Sequence, residues 1–164
     1  MTFGSLLTKG RPQVSKGDIL ISVHQKFVER IAAGKKAAEL RRRVLRIQPG
    51  CRVWIYTKAP DAAISICVTV DRIVTGAPQA IWRSHGAQLG VSRDEFDSYF
   101  GEAKRACAIF FKRVEGVSPS VALSEIRSRA RGFHPPQFFK RLHEGSPELN
   151  LFRSRLKNAV STRH

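Results

Sequence analysis

An α+β fold is expected of this chain: a small mixed β-barrel of five or six strands, with a helix after the first strand and further helices at the ends. Three features point there. A short apolar run, Ile19-Leu20-Ile21-Ser22-Val23, leads into a helical pattern from about Gln25 to Ala33. Alternating runs rich in Val and Ile then recur between turn signals. The length, 164 residues with 42% hydrophobic, suits one domain with one ordinary core.

Taken in order, Met1 to Lys16 carries Lys9, Arg11 and Lys16 with little periodicity, and reads as a flexible basic arm over residues 1–16. The folded domain is expected over 17–152. In its first helix Phe27, Val28, Ile31 and Ala32 form one apolar stripe, with Lys26, Glu29 and Arg30 on the other face. Gly34 suits the left-handed residue that ends such a helix. From Ala37 the chain can run as a strand, with Glu39, Arg41 and Arg43 on one face and Leu40 on the other. Pro49-Gly50 marks a turn, and Arg52 to Lys58 a strand that sets Val53, Ile55 and Thr57 against Trp54, Tyr56 and Lys58. A longer strand over Ala62 to Val74 sets Ile64, Ile66, Val68 and Val70 against Ser65, Cys67 and Thr69.

Pro78 to His85 reads as a short helix carrying Ile81 and Trp82. Ser92 and Glu95 have the spacing of a capping box for a second helix, whose buried face would be Phe96, Tyr99 and Phe100. These two helices would cover one end of the barrel. A strand follows over Arg105 to Val114, then a short helix over Ser124 to Arg131, and a second, amphipathic one over Phe138 to Leu142. Residues 153–164 carry Arg153, Arg155, Lys157 and Arg163 and no acid, and read as a basic C-terminal tail, either a terminal helix or a flexible arm.

The net charge of +16 points to a polyanionic partner, of which nucleic acid is the commonest. The densest basic run is Arg41-Arg42-Arg43 with Arg46. Guanidinium groups there suit phosphate, and the competing reading is an edge strand protected by charge. Cys51, Cys67 and Cys107 form no C-x-x-C pair and are expected to be buried thiols in a reducing compartment. No secretory leader and no membrane-spanning run are evident, so a cytoplasmic protein with no membrane partner is expected. His24, His85, His134, His143 and His164 lack metal-ligand spacing, so no metal site or cofactor is expected. No phosphate-binding glycine loop or nucleophile elbow is present.

Within Gly34 to Arg41 lies G-x-K-x-x-E-x-R, with Gly34, Lys36, Glu39 and Arg41 at the fixed positions. This pattern, after a first strand and helix, resembles the signature of the ASCH domain in the PUA-like superfamily. The resemblance extends through Val53 to Pro60 and to Pro135-Pro136-Gln137-Phe138, covering about Gly17 to Phe152. It implies the PUA-like barrel and an RNA-binding cleft between the first helix and the barrel. It also implies that some members are enzymes. One subgroup resembles amidohydrolases of N4-acetylcytidine and uses a threonine where Glu39 stands here, so the missing hydroxyl disfavours that activity. Another member is a metal-dependent ribonuclease on single-stranded RNA.

The site expected on this basis comprises Ser22, His24, Lys35, Lys36, Glu39, Arg41, Arg42, Arg43, Tyr56 and Lys58. Lysine and arginine would hold a phosphate or a base carbonyl, while Glu39 would accept from a base amino group or form an internal ion pair with Lys36 or Arg41. Tyr56, Trp54 or Trp82 would stack on an unpaired base, unless they are packed in the core. If the protein is an enzyme, Lys36 and Tyr56 are the catalytic candidates, with Ser22 as a second hydroxyl and a divalent metal as the added requirement. The function expected is therefore a nucleic-acid-binding module for RNA or single-stranded segments. A ribonuclease or modified-nucleoside hydrolase is the enzymatic alternative, and a regulatory protein-interaction module the third. No helix-turn-helix pair is evident, and duplex DNA remains open, since a PUA-like cleft could accept a flipped base.

Overall fold

The computed structural model describes residues 17–156. Residues 1–16, expected as a basic arm, and 157–164, most of the tail expected over 153–164, lie outside the described residues. Six strands, β1 (Ile19–Val23), β2 (Ala38–Arg41), β3 (Arg52–Thr57), β4 (Ala63–Gly76), β5 (Ala106–Ala122) and β6 (Lys140–Arg141), form one sheet in the order β2-β5-β4-β3-β1-β6. Among the described residues β1 and β3 alone pair in parallel, with Ile21 opposite Ile55; the other pairings are antiparallel. The sheet curls into a half-barrel. Arg41, on the edge strand β2, donates from Nη2 to the carbonyl of Ser22 on β1, 2.9 Å away, so β2 approaches a strand near the far edge.

Helix α1 (Gln25–Ala32) lies over the concave face. Its Val28 and Ile31 pack with Ile19, Ile21, Val53, Ile55, Val68 and Ile109. The helix ends as its sequence indicates. Gly34 takes φ 73°, its amide donates to Ile31, and the Lys35 amide reaches back to Arg30, which are the two closing bonds of a Schellman turn. On the convex side, α2 (Pro78–His85) and α3 (Arg93–Phe100) place Ile81, Phe96 and Phe100 against Ala38, Leu40, Ala108 and Phe110. A third core holds Leu20, Trp54, Tyr56, Phe133 and Phe152 beneath α4 (Leu123–Arg129) and α5 (Pro147–Ser154).

Several expectations change. The charged strand stops at Arg41, so Arg42 and Arg43 lie in the bend beyond it rather than alternating across a sheet. A register shift between Ile64 and Ile66 turns Ile64 away from Ile66, Val68 and Val70 and into the core with Cys67. The segment expected as a helix over Phe138 to Leu142 instead supplies β6, whose Lys140 and Arg141 pair with Leu20 and Ile19. The C-terminal helix reaches past 152. Arg153 pairs with Glu144 and Asp18, and Arg155 with Glu125, so these two arginines are fastened to the domain. The three cysteines are free and buried. Burial pushes the Cys51 thiol up to about 11, with the Asp18 carboxylate adding to the effect.

Candidate functional site

A cavity of about 820 Å³ opens between the start of α1 and the exposed side of α3. His24, Lys26 and Phe27 form one wall, Glu95 and Tyr99 the other, and Lys36 and Glu39 the floor. The floor exists because the Schellman turn reverses the chain immediately before β2, bringing Lys36 beneath the helix it has just left. Alternation along β2 then turns Ala38 and Leu40 toward α2 and α3, and Glu39 and Arg41 toward the concave side.

Lys36 is 3% exposed and Glu39 7%. The Lys36 ammonium donates to the carbonyl of Leu89 at 3.0 Å and lies 5.4 Å from the centre of the Phe27 ring. Burial lowers its pKa below the ordinary 10.5, Glu39 opposes that shift, and the Arg30 and Arg41 charges add to it. Glu39 Oε1 accepts from the Leu40 amide at 2.9 Å, while its Oε2 is buried with no hydrogen-bond partner among the described residues. Arg41 Nε is likewise buried and unpaired, although its Nη2 is engaged by Ser22. Thus Glu39 keeps a free acceptor on the cavity floor, and Arg41, two residues on, keeps a free donor on the same face of β2. Unpaired buried groups are costly and uncommon in folded proteins. Their pairing here by a ligand would recover that cost.

The walls are held by charges the sequence reading did not connect. Glu95 completes the capping box with Ser92 and also accepts from Arg30 at 2.9 Å and from Lys26 at 3.1 Å. It therefore ties α1 to α3 across 65 residues of sequence. The Arg30 hydrogen bonds, followed by the Ser92 amide, pull its carboxyl down from 4.5 to about 2. A carboxyl held this low stabilises the fold fully above pH 4.5, and that contribution drains away as the pH falls toward 2. Glu95→Ala is expected to cost about 1–2 kcal/mol, mostly through loss of the cap, and to flatten the acid limb of a thermal-denaturation profile over that range.

A second cavity, of about 620 Å³, adjoins the first at Tyr99. It gathers Arg41, Arg42, Arg43 and Lys58 with Phe138 and Phe139. Of the residues expected in the site, His24, Lys36 and Glu39 therefore line one cavity and the three arginines and Lys58 the other. Lys35 is exposed beside the floor and lines neither. Ser22 is buried, its hydroxyl donating to the Pro136 carbonyl at 2.7 Å; it positions backbone rather than facing the cavity. Tyr56 lines neither cavity. It is buried in the core beneath α4 and α5, because the side chains of Arg52–Thr57 alternate and Tyr56 shares its face with Trp54. Trp54 is fully buried and donates to Asp18, and Trp82 packs on Phe96. The aromatics that line the cavities are Phe27, Phe96, Tyr99, Phe138 and Phe139, of which Phe96 is otherwise buried in the core. Tyr99 was expected in the core with Phe96 and Phe100. It falls one helical step to the side of that stripe and is exposed.

Among the described residues no group of three or more His, Cys, Asp or Glu side chains is placed to hold a metal ion. Three carboxylates, Glu39, Asp94 and Glu95, line the first cavity, with Lys36 beside Glu39 on its floor.

Comparison with known proteins gives a consistent result. A model of the family described as ASCH domain matches residues 21–117. The ASCH domain-containing ribonuclease of Zymomonas mobilis is 27% identical over 120 residues, covering 73% of this chain and 80% of that protein. The crystal structure of ASCH from Zymomonas mobilis superposes with a TM-score of 0.78 at 24% identity, covering 85% of this chain and 96% of the other. The N-terminal domain of Staphylothermus marinus McrB does so with a TM-score of 0.57 at 9% identity, covering 84% and 93%. These two structures bear on the fold, which is the PUA-like one expected.

Proposed function

This chain belongs to the ASCH domain family, and from that premise we propose that it binds single-stranded RNA by taking one unpaired base into the cavity between α1 and α3. The observation that carries the reading is the unpaired Glu39 Oε2 on the floor of that cavity. A carboxylate oxygen there accepts from an N–H on a base edge, and an exocyclic amino group supplies one. Phe27 and Tyr99, on opposite walls, offer apolar surfaces to the base. Lys36 has donors to spare beyond the one given to Leu89, and Arg41, which lines the adjoining cavity, has a buried Nε with no partner among the described residues. Arg42, Arg43 and Lys58 add positive charge where the sugar-phosphate chain would leave. A duplex hides its base edges, so a splayed-out strand fits this arrangement and a regular helix does not.

Gel-shift titrations of labelled single-stranded RNA, duplex RNA and duplex DNA test the reading. Single-stranded RNA is expected to bind most tightly, with weaker binding by Lys36→Ala. Equal shifts for all three, unchanged by the substitution, would leave only a nonspecific basic surface.

The lowered pKa of Lys36 adds a signature. Between that lowered value and 10.5 the unfolded chain binds the extra proton, so folding stability rises with pH there. RNA affinity moves the opposite way, because the ammonium is lost. Affinity is therefore expected to fall on the alkaline side at a lower pH than an ordinary lysine would impose, and Lys36→Arg is expected to remove that limb. A titration of affinity against pH with both proteins checks it.

A ribonuclease is the second reading, favoured by the named activity of the Zymomonas mobilis relative. Intact RNA after incubation with divalent metal would count against it. Cleavage abolished by Lys36→Ala would place the chemistry in this cavity.

A further inference from the structure

We propose that Phe138 and Phe139 form a stacking platform for a second unpaired ribonucleotide, next to the one held in the cavity between α1 and α3. This inference rests on that reading of the first cavity and extends it to a second subsite.

Phe138 is 51% exposed and Phe139 38%, and they are adjacent on the segment leading into β6. The chain had the means to bury them. Phe133 before them and Leu142 after them both enter the core beneath α4 and α5. The segment is also fixed in place. Ser22 holds the carbonyl of Pro136, and the Leu142 amide donates to Asp18 at 2.9 Å, closing the far end of β6 against β1. Two phenylalanines held in the open on a pinned backbone make a preorganised surface.

Their surroundings specify the occupant. The second cavity is lined by Arg41, Arg42, Arg43 and Lys58, and among the described residues no carboxylate lines it. Arg43 lies over the Phe138 ring, 4.4 Å from its centre, and Arg42 over Tyr99 at 4.9 Å. Aromatic faces beside guanidinium groups, without a counter-charge, match alternating bases and phosphates. Tyr99 lines both cavities, so a strand can pass from one to the other without leaving the surface. Stacking takes any base, so this subsite adds affinity for chain length and leaves base choice to Glu39.

The test compares adenosine 5′-monophosphate with an unstructured RNA pentanucleotide by calorimetric titration, using wild type, the double variant Phe138→Ala with Phe139→Ala, Phe138→Trp, and Glu39→Gln. The double variant is expected to lose about 10-fold in pentanucleotide affinity and to lower the pentanucleotide-to-mononucleotide ratio. Phe138→Trp is expected to retain or raise that ratio. Glu39→Gln is expected to weaken both ligands and to leave the ratio near its wild-type value. A thermal melt of each variant reports folding, which these exposed rings do not carry. Pentanucleotide affinity equal to wild type in the folded double variant overturns the platform. Loss in the double variant with no loss of either ligand in Glu39→Gln supports the platform and overturns the first cavity as the base site.

Discussion

Gly90→Ala is expected to destabilise the protein by about 2–4 kcal/mol and to disable RNA binding in the molecules that remain folded. Gly90 sits at φ 65°, where an L side chain is strained, and a Cβ there would lie 2.4 Å from Lys36 Cβ and 2.7 Å from the Lys35 carbonyl oxygen. Backbone cannot yield at that contact without lifting the loop between α2 and α3 off the cavity floor. That loop also carries the Gln88 carbonyl that pairs with Ala37, the Leu89 carbonyl that holds Lys36, and the Gly90 carbonyl that accepts from Arg30 at 3.0 Å. One methyl group therefore strains three hydrogen bonds at once. A fall in melting temperature of roughly 5–15 °C is the expected reading. A variant that melts with wild type would mean the loop is not packed on Lys36.

Glu39→Gln is expected to weaken single-stranded RNA binding roughly 10- to 100-fold, the range for losing a hydrogen bond to a charged acceptor. The substitution keeps the side chain's volume and an oxygen able to accept from Leu40, so the floor keeps its shape. What it removes is charge, and with it the free acceptor that the proposed base would meet. Binding isotherms at one fixed salt concentration are needed, because a protein of net charge +16 will gain and lose phosphate contacts steeply with salt. Undiminished affinity would mean the buried oxygen has another purpose.

Much of the frame was legible because it is written in local pattern. Strand Ile19–Val23 and helix Pro78–His85 fall where periodicity and proline placed them. Ser92 and Glu95 form their capping box, since that signal needs only four residues. Lys36, Glu39 and Arg41 come together because one turn and one strand suffice to gather them. What escaped depends on contacts distant in sequence. No local signal announces that Gly90 will touch Lys36 or that Glu95 will reach Arg30. Ile64 was assigned to the wrong face because a register shift breaks strict alternation without changing composition. Tyr56 and Tyr99 exchanged roles for a related reason. Either ring can bury its body and expose its hydroxyl, and the choice was made by neighbouring layers, α4 and α5 over one and open space beside the other. Phe138 and Phe139 read as part of an amphipathic helix, whereas Phe138 lies in a bend and the residues just after them, Lys140 and Arg141, pair with β1.

The most direct test of the central claim is photochemical crosslinking of single-stranded RNA carrying 4-thiouridine at each position in turn, with the attached peptides identified by mass spectrometry. The account predicts crosslinks within Gln25–Phe27 and at Tyr99, the walls of the first cavity, and their loss in Glu39→Gln. Crosslinks confined to other surfaces, such as the exposed Arg129 and Arg131 at the end of α4, with none in the cavity walls, would contradict it.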